Sequence, residues 1–172
     1  MKIIAAVVGL FIASPAMAET ALKPPLADIG FLVGRWQSDD GQVADTGETS
    51  KGESLITIEA DGGALLRRDK TTTFDKNGES SSSFAQLMMI YREGDAVKAI
   101  YEDGEGHLIR YDSVTVTPGK AVTFNSAPGA GPVFRLTYEA KAPDVLAVTF
   151  GMIAPGSADL HLIASGTLRR AK

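Results

Sequence analysis

Residues 131–150 read GPVFRLTYEAKAPDVLAVTF, two alternating runs separated by a four-residue turn. In the first run Phe134, Leu136 and Tyr138 share one face with period two, and Arg135, Thr137 and Glu139 share the other. In the second, Leu146, Val148 and Phe150 repeat the pattern. Period-two alternation is the signature of a half-buried strand. The Lys-Ala-Pro-Asp connection, 141–144, is too short for a crossover helix, so the two strands run antiparallel as a hairpin.

The same grammar extends through the chain. Ten candidate strands follow one another: 31–38, 54–60, 64–74, 82–92, 96–102, 107–117, 121–126, 133–140, 145–152 and 158–170. Turn chemistry punctuates them, with ADGG at 60–63, DKNG at 75–78, DGEG at 103–106, TPGK at 117–120 and APGS at 154–157. The short connections imply a sequential meander. Left open, ten strands expose two edges and a bare apolar face, whereas closure removes the edges and creates an interior. The expectation is an all-β, closed up-and-down antiparallel barrel of about ten strands, in preference to a sandwich. Ser80 to Ser83 sit in a hairpin flank, since strand signals continue on both sides.

Upstream, residues 1–18 (MKIIAAVVGLFIASPAMA) place one lysine before an uncharged apolar run and end on Ala-Met-Ala. That is the order of a secretory signal peptide cleaved after Ala18. Its apolar run is shorter than the about 20 residues a membrane-spanning helix needs, so no integral membrane anchor is expected. Residues 19–30 (ETALKPPLADIG) read as a lead-in with one helical turn across Leu26 to Ile29, and residues 31–172 as one barrel domain. Cleavage removes Lys2, one of 17 basic residues, so the 21 acidic residues outnumber the remainder by five. With no basic block, nucleic acid is not an expected partner. There is no cysteine, hence neither disulfide nor thiol chemistry nor a lipid-bearing N-terminal cysteine. The expected destination is the periplasm or the exterior.

The only tryptophan, Trp36, stands early in the first strand, inside FLVGRW (31–36), while the last strand ends GTLRRAK (166–172). When a barrel closes, its last strand returns beside its first. An arginine there, Arg169 or its neighbour Arg170, is in reach of the indole face, and Arg169 is the expected partner of a barrel-closing pair with Trp36. Gly34-x-Trp36, joined to a terminal arginine about 130 residues on, resembles the calycin barrels: lipocalins, fatty-acid-binding proteins and nitrobindin-like haem barrels. Ten strands with short hairpins are more similar to the last two branches. AIYEDGEGHLIRY (99–111), with GPVFRLTYEA (131–140), is also similar to bacterial exported calycin-like families of unknown function.

That resemblance implies a small-molecule carrier. In fatty-acid-binding barrels an arginine and tyrosine group holds a carboxylate. By analogy Arg135 and Tyr111 are the first candidates here, with Tyr138, Arg67 and Met88 beside them, although the family's arginine-x-tyrosine motif on the last strand is absent. Alternation also sends one of Arg67 and Arg68 inward, and a buried guanidinium demands an acidic partner or an anionic ligand. Outward, solvated arginines are the competing reading. Met88 and Met89 place one thioether on each face, where gap-filling in a core competes with lining a pocket.

Imidazole chemistry has two options. In nitrobindin-like barrels a late-strand histidine binds haem, and His161-Leu162 is similar to that pattern; no other cofactor is expected. Asp103-x-Glu105-x-His107 offers oxygen and nitrogen ligands to a metal but reads first as a glycine-rich hairpin tip. No Ser-His-Asp arrangement or nucleophile elbow is present. The leading expectation is therefore a periplasmic or secreted, non-enzymatic carrier of a small apolar ligand that bears a carboxylate in one version. A haem barrel using His161 and a periplasmic protein-binding or inhibitor module are the alternatives.

Overall fold

The computed structural model describes residues 20–172; the signal-peptide expectation for residues 1–18 lies outside them. Ten strands form one sheet: β1 (Gly34–Val43), β2 (Thr49–Glu59), β3 (Ala64–Phe74), β4 (Ser80–Glu93), β5 (Ala96–Asp103), β6 (Leu108–Thr117), β7 (Ala121–Ser126), β8 (Val133–Ala142), β9 (Val145–Ile153) and β10 (Leu160–Arg170). Each pairs antiparallel with its sequence neighbours, and β1 pairs with β10 to complete a closed barrel. The chain therefore has the expected closed up-and-down architecture, with no unpaired sheet edge.

The start of β1 differs from expectation. Leu26–Leu32 form a seven-residue 3-10 helix that absorbs Phe31 and Leu32, and the strand begins at Gly34. Leu26, Ile29 and Leu32 are completely buried, so this helix is a stopper whose apolar side drops into one end of the barrel. The lead-in is tied to the turns at that end: the Lys23 amide donates to Gly62 O, the Gly119 amide to Asp28 O, and Arg92 Nη1 to Pro24 O.

Gly34 makes the change from helix to strand possible. Its φ of 133° lies where side chains are rarely tolerated, and a β-carbon there would collide with the Arg170 guanidinium. Two residues on, Trp36 is fully buried, and its indole Nε1 donates to Leu32 O at 2.8 Å. Arg170 lies over its ring, 4.2 Å from the centroid, donates to Val33 O at 3.0 Å and pairs with Asp144 at 3.2 Å. The closing arginine is thus Arg170 and not Arg169. Arg169 pairs in register with Gln37 and is exposed, because adjacent strand residues point to opposite faces.

Above the stopper, Ile56, Leu65, Met88, Ile90, Ala99, Val122, Phe124 and Leu146 fill the closed half. Toward the other end the inward positions change character. Ser50, Gly52 and Ser54 on β2, with Gly41 on β1 and Gly166 on β10, leave space where the closed half has apolar bulk.

Candidate functional site: the open half of the barrel

That space is a cavity of about 240 Å³. One wall is small and polar: Ser38 and Gly41 from β1, Ser50, Gly52 and Ser54 from β2, Thr71 and Thr73 from β3. The rest of the lining is largely apolar, with Phe84 from β4, Leu136 from β8, Val148 and Phe150 from β9 and Leu168 from β10. At the mouth the Phe134 and Phe150 rings stack at 6.0 Å. The hollow thus combines polar and apolar lining.

Its floor is a polar cluster centred on Arg67. Of the adjacent arginines Arg67 faces inward, 4% exposed, and Arg68 faces solvent. Arg67 Nε lies 2.9 Å from Asp69 Oδ2, two residues along the same face of β3. The N–H is not aimed along that line, so the contact is an ion pair by proximity, and Asp69 Oδ1 and the Ser54 hydroxyl are sealed in without protein partners. Nη1 donates to the Tyr138 hydroxyl and Nη2 to Gln86 Oε1 at 3.2 Å. The guanidinium carbon sits 5.7 Å from the centroid of the Tyr101 ring.

Burial works against charge on Arg67, but Asp69 and the Tyr138 oxygen outweigh it and hold the guanidinium above its ordinary pKa. Burial is the first cause pushing the phenols of Tyr101, Tyr111 and Tyr138 above the usual tyrosine range. All three line the cavity as neutral hydroxyls. From Tyr101 a hydrogen-bonded line runs outward: its hydroxyl donates to Asp103 Oδ2 at 3.0 Å, and the same carboxylate oxygen meets His107 Nδ1 at 3.0 Å.

The nominated residues therefore divide. Arg67, Tyr111 and Tyr138 come together at the cavity floor. Arg135 does not join them. It lies on the outer face of β8, where its Nε donates to Asn125 Oδ1 at 2.8 Å, because alternation opposes it to Leu136 and Tyr138. Met88 points inward but is wholly buried in the closed half, paired in register with Arg67 and Tyr101, and is core and not cavity wall. Met89, as alternation requires, is on the outside.

His161 stands at the rim. Its side chain is 55% exposed and its Nε2 donates to Asp45 Oδ1 at 2.9 Å. Haem ligation needs a free imidazole nitrogen facing a sheltered apolar surface. At the rim His161 faces no sheltered apolar surface, and no histidine lines the cavity, so the residues present do not fit a haem in this hollow. Asp103, Glu105 and His107 bring ligand atoms within 4.8 Å of one another. Asp103, however, spends its carboxylate on the turn, accepting from the Glu105 and His107 amides at 3.0 Å each.

Asp69, Gln86 and Ser54 belong to the cluster and were not nominated from sequence. The available signal was Arg67-x-Asp69, an opposite-charge pair on one face of a strand.

No family model and no curated protein matches this chain. Solved structures do. The crystal structure of Rv2717c from M. tuberculosis is similar at TM-score 0.60 and 16% identity, over 88% of this chain and 99% of that one. An S-type phycobiliprotein lyase, CPES from Guillardia theta, is similar at TM-score 0.50 and 14% identity, over 83% and 89% of the two chains. A de novo designed fluorescence-activating β-barrel aligns at TM-score 0.44 and 16% identity, over 82% and 94%. At these identities the likeness to the two natural proteins is one of fold alone, a closed antiparallel β-barrel. Among the described residues no helix is long and apolar enough to cross a membrane.

Proposed function

We propose that this chain is an exported small-molecule-binding protein that holds a largely apolar ligand in the open half of its barrel. One observation carries the reading. The closed half is packed solid by a stopper helix and core, while the half above Arg67 is left as a hollow of about 240 Å³ with an apolar wall and a polar floor. Filling that space with leucine or phenylalanine would stabilise the barrel by about 1–3 kcal/mol per side chain, so leaving it empty costs stability that a binding role explains. The signal-like residues 1–18 support export to the periplasm or beyond, with the mature chain beginning at Glu19.

Native mass spectrometry of the protein purified from the periplasm of a bacterial host tests both parts. The expected spectrum shows a polypeptide starting at Glu19, with part of the population carrying an additional small mass released on denaturation. A chain that retains Met1 refutes the export reading. A barrel that co-purifies empty and ignores a panel of amphipathic compounds refutes the carrier reading and favours a protein-binding module that uses the rim.

A further inference from the structure

We infer that the ligand is uncharged: a molecule with a hydroxyl, carbonyl or amide head and an apolar body, and not an anion. The inference rests on the small-molecule reading above and sharpens it. A carboxylate docks on a guanidinium through two parallel N–H···O bonds, along either the Nε side or the Nη1/Nη2 end. On Arg67 each edge already carries a protein oxygen, although the Nε N–H itself has no hydrogen-bond partner. Asp69 Oδ2 faces Nε at 2.9 Å, while the Tyr138 hydroxyl and Gln86 Oε1 occupy Nη1 and Nη2. The Tyr101 ring lies beside the guanidinium, its centroid 5.7 Å from the guanidinium carbon. A ligand anion would have to compete with a protein oxygen at either edge.

Charge balance leads to the same place. Asp69 cancels Arg67 within the cluster, and the neighbouring cavity groups Tyr101, Tyr111 and Tyr138 are neutral phenols. Lys51 and Glu53 border the cavity on β2, but their side chains lie on the exposed face, alternating with the inward Ser50, Gly52 and Ser54. An anion entering here would lose its water beside the Asp69 carboxylate without gaining an unpaired cation, which is the expensive case of charge burial.

What the cavity does offer is neutral. The Tyr111 hydroxyl lines it and makes no hydrogen bond to protein among the described residues; the Gln86 amide nitrogen and the Ser50 and Thr71 hydroxyls stand nearby. These groups match one neutral polar head, while Phe84, Val148, Phe150 and Leu168 match an apolar body. Arg67 is then part of the protein's framework, fixing the Tyr138 and Gln86 side chains, and not an anion receptor.

The test titrates 1-octanol and octanoate separately into the mature protein at pH 8, following the amide and methyl NMR signals of Ala164, Val148 and Leu168. The expected result is octanol binding at least tenfold more tightly than octanoate. Greasiness alone would favour the alcohol, so the deciding arm is Asp69→Asn, which leaves Arg67 uncompensated. Octanoate should then gain at least tenfold while octanol moves less than threefold. Tyr111→Phe should weaken octanol about three- to tenfold, the loss of one hydrogen bond. Octanoate binding more tightly than octanol to the unaltered protein, or octanoate unmoved by Asp69→Asn, overturns the inference. If Asp69→Asn does not fold, the wild-type ratio and Tyr111→Phe decide. Failure of both compounds and their amide analogue to shift any cavity signal defeats the carrier reading itself, a distinct outcome.

Discussion

Arg170 lays its guanidinium over the Trp36 indole at 4.2 Å while donating to Val33 O, the carbonyl of the residue that precedes Gly34. The last strand thereby clamps both the plug and the hinge that turns the stopper helix into β1. Arg170→Ala removes a cation–π contact, a hydrogen bond and an ion pair, and should cost about 1–2 kcal/mol, or roughly 2–8 °C in Tm. Arg169→Ala, on the exposed face, should stay within about 0.5 kcal/mol. Urea unfolding of the two variants checks this, and a larger loss from Arg169→Ala would reverse the assignment.

Legibility in the sequence follows from how the hydrophobic pattern is made. Strands such as β8 and β9 bury an apolar inner face along most of their length, so alternation in VFRLTYEA and VLAVTF revealed them. Strand β2 begins at Thr49, five residues before the apolar alternation does, because its inward residues there are Ser50 and Gly52. A hollow needs small polar linings, so the signal fades where the site lies. Arg135 was nominated by family analogy against its own alternation with Leu136 and Tyr138, and the alternation prevailed. Between Arg169 and Arg170 the choice turned on the register of β10 against β1, which closure sets and local sequence does not.

The Arg67–Asp69 pair should behave as a unit. Arg67→Ala leaves a carboxylate buried without its cation and should destabilise the barrel by about 3–5 kcal/mol. Replacing both partners with apolar residues, Arg67→Met with Asp69→Leu, should cost less than Arg67→Ala alone, since no charge is then stranded. A chemical-denaturation cycle measures the coupling. Strictly additive losses would mean that the two side chains do not compensate one another.

Alkaline pH should weaken the fold through its phenols. Tyr101, Tyr111 and Tyr138 have folded-state pKa values raised, chiefly by burial, above the unfolded value of about 10. A group whose folded pKa is raised contributes stability that is complete below its unfolded pKa and disappears as pH climbs toward the folded one. The sign is therefore a loss of stability beginning near pH 10, with full stability below it. Absorbance at 295 nm should show these phenols ionising only together with unfolding, followed in parallel by circular dichroism. Tyr111→Phe should reduce the pH dependence above pH 10. Early ionisation of all the tyrosines in a still-folded barrel would contradict the placement.

Blocking the hollow separates binding from folding. Ala164 lines the cavity on β10, opposite Phe150 on β9 and Val43 on β1, well above the packed core. Ala164→Phe adds a ring directed into open space, so overpacking, which costs about 1–3 kcal/mol in a full core, should be largely absent. The Tm should move by no more than a few degrees, because Trp36, the stopper helix and the Arg67 cluster are untouched. Ligand affinity should nevertheless fall at least tenfold, since the ring takes volume from a cavity of about 240 Å³. The comparison is instructive in either direction: a large stability loss would mean that the hollow is already filled, and unchanged affinity with intact folding would place the ligand elsewhere on the barrel.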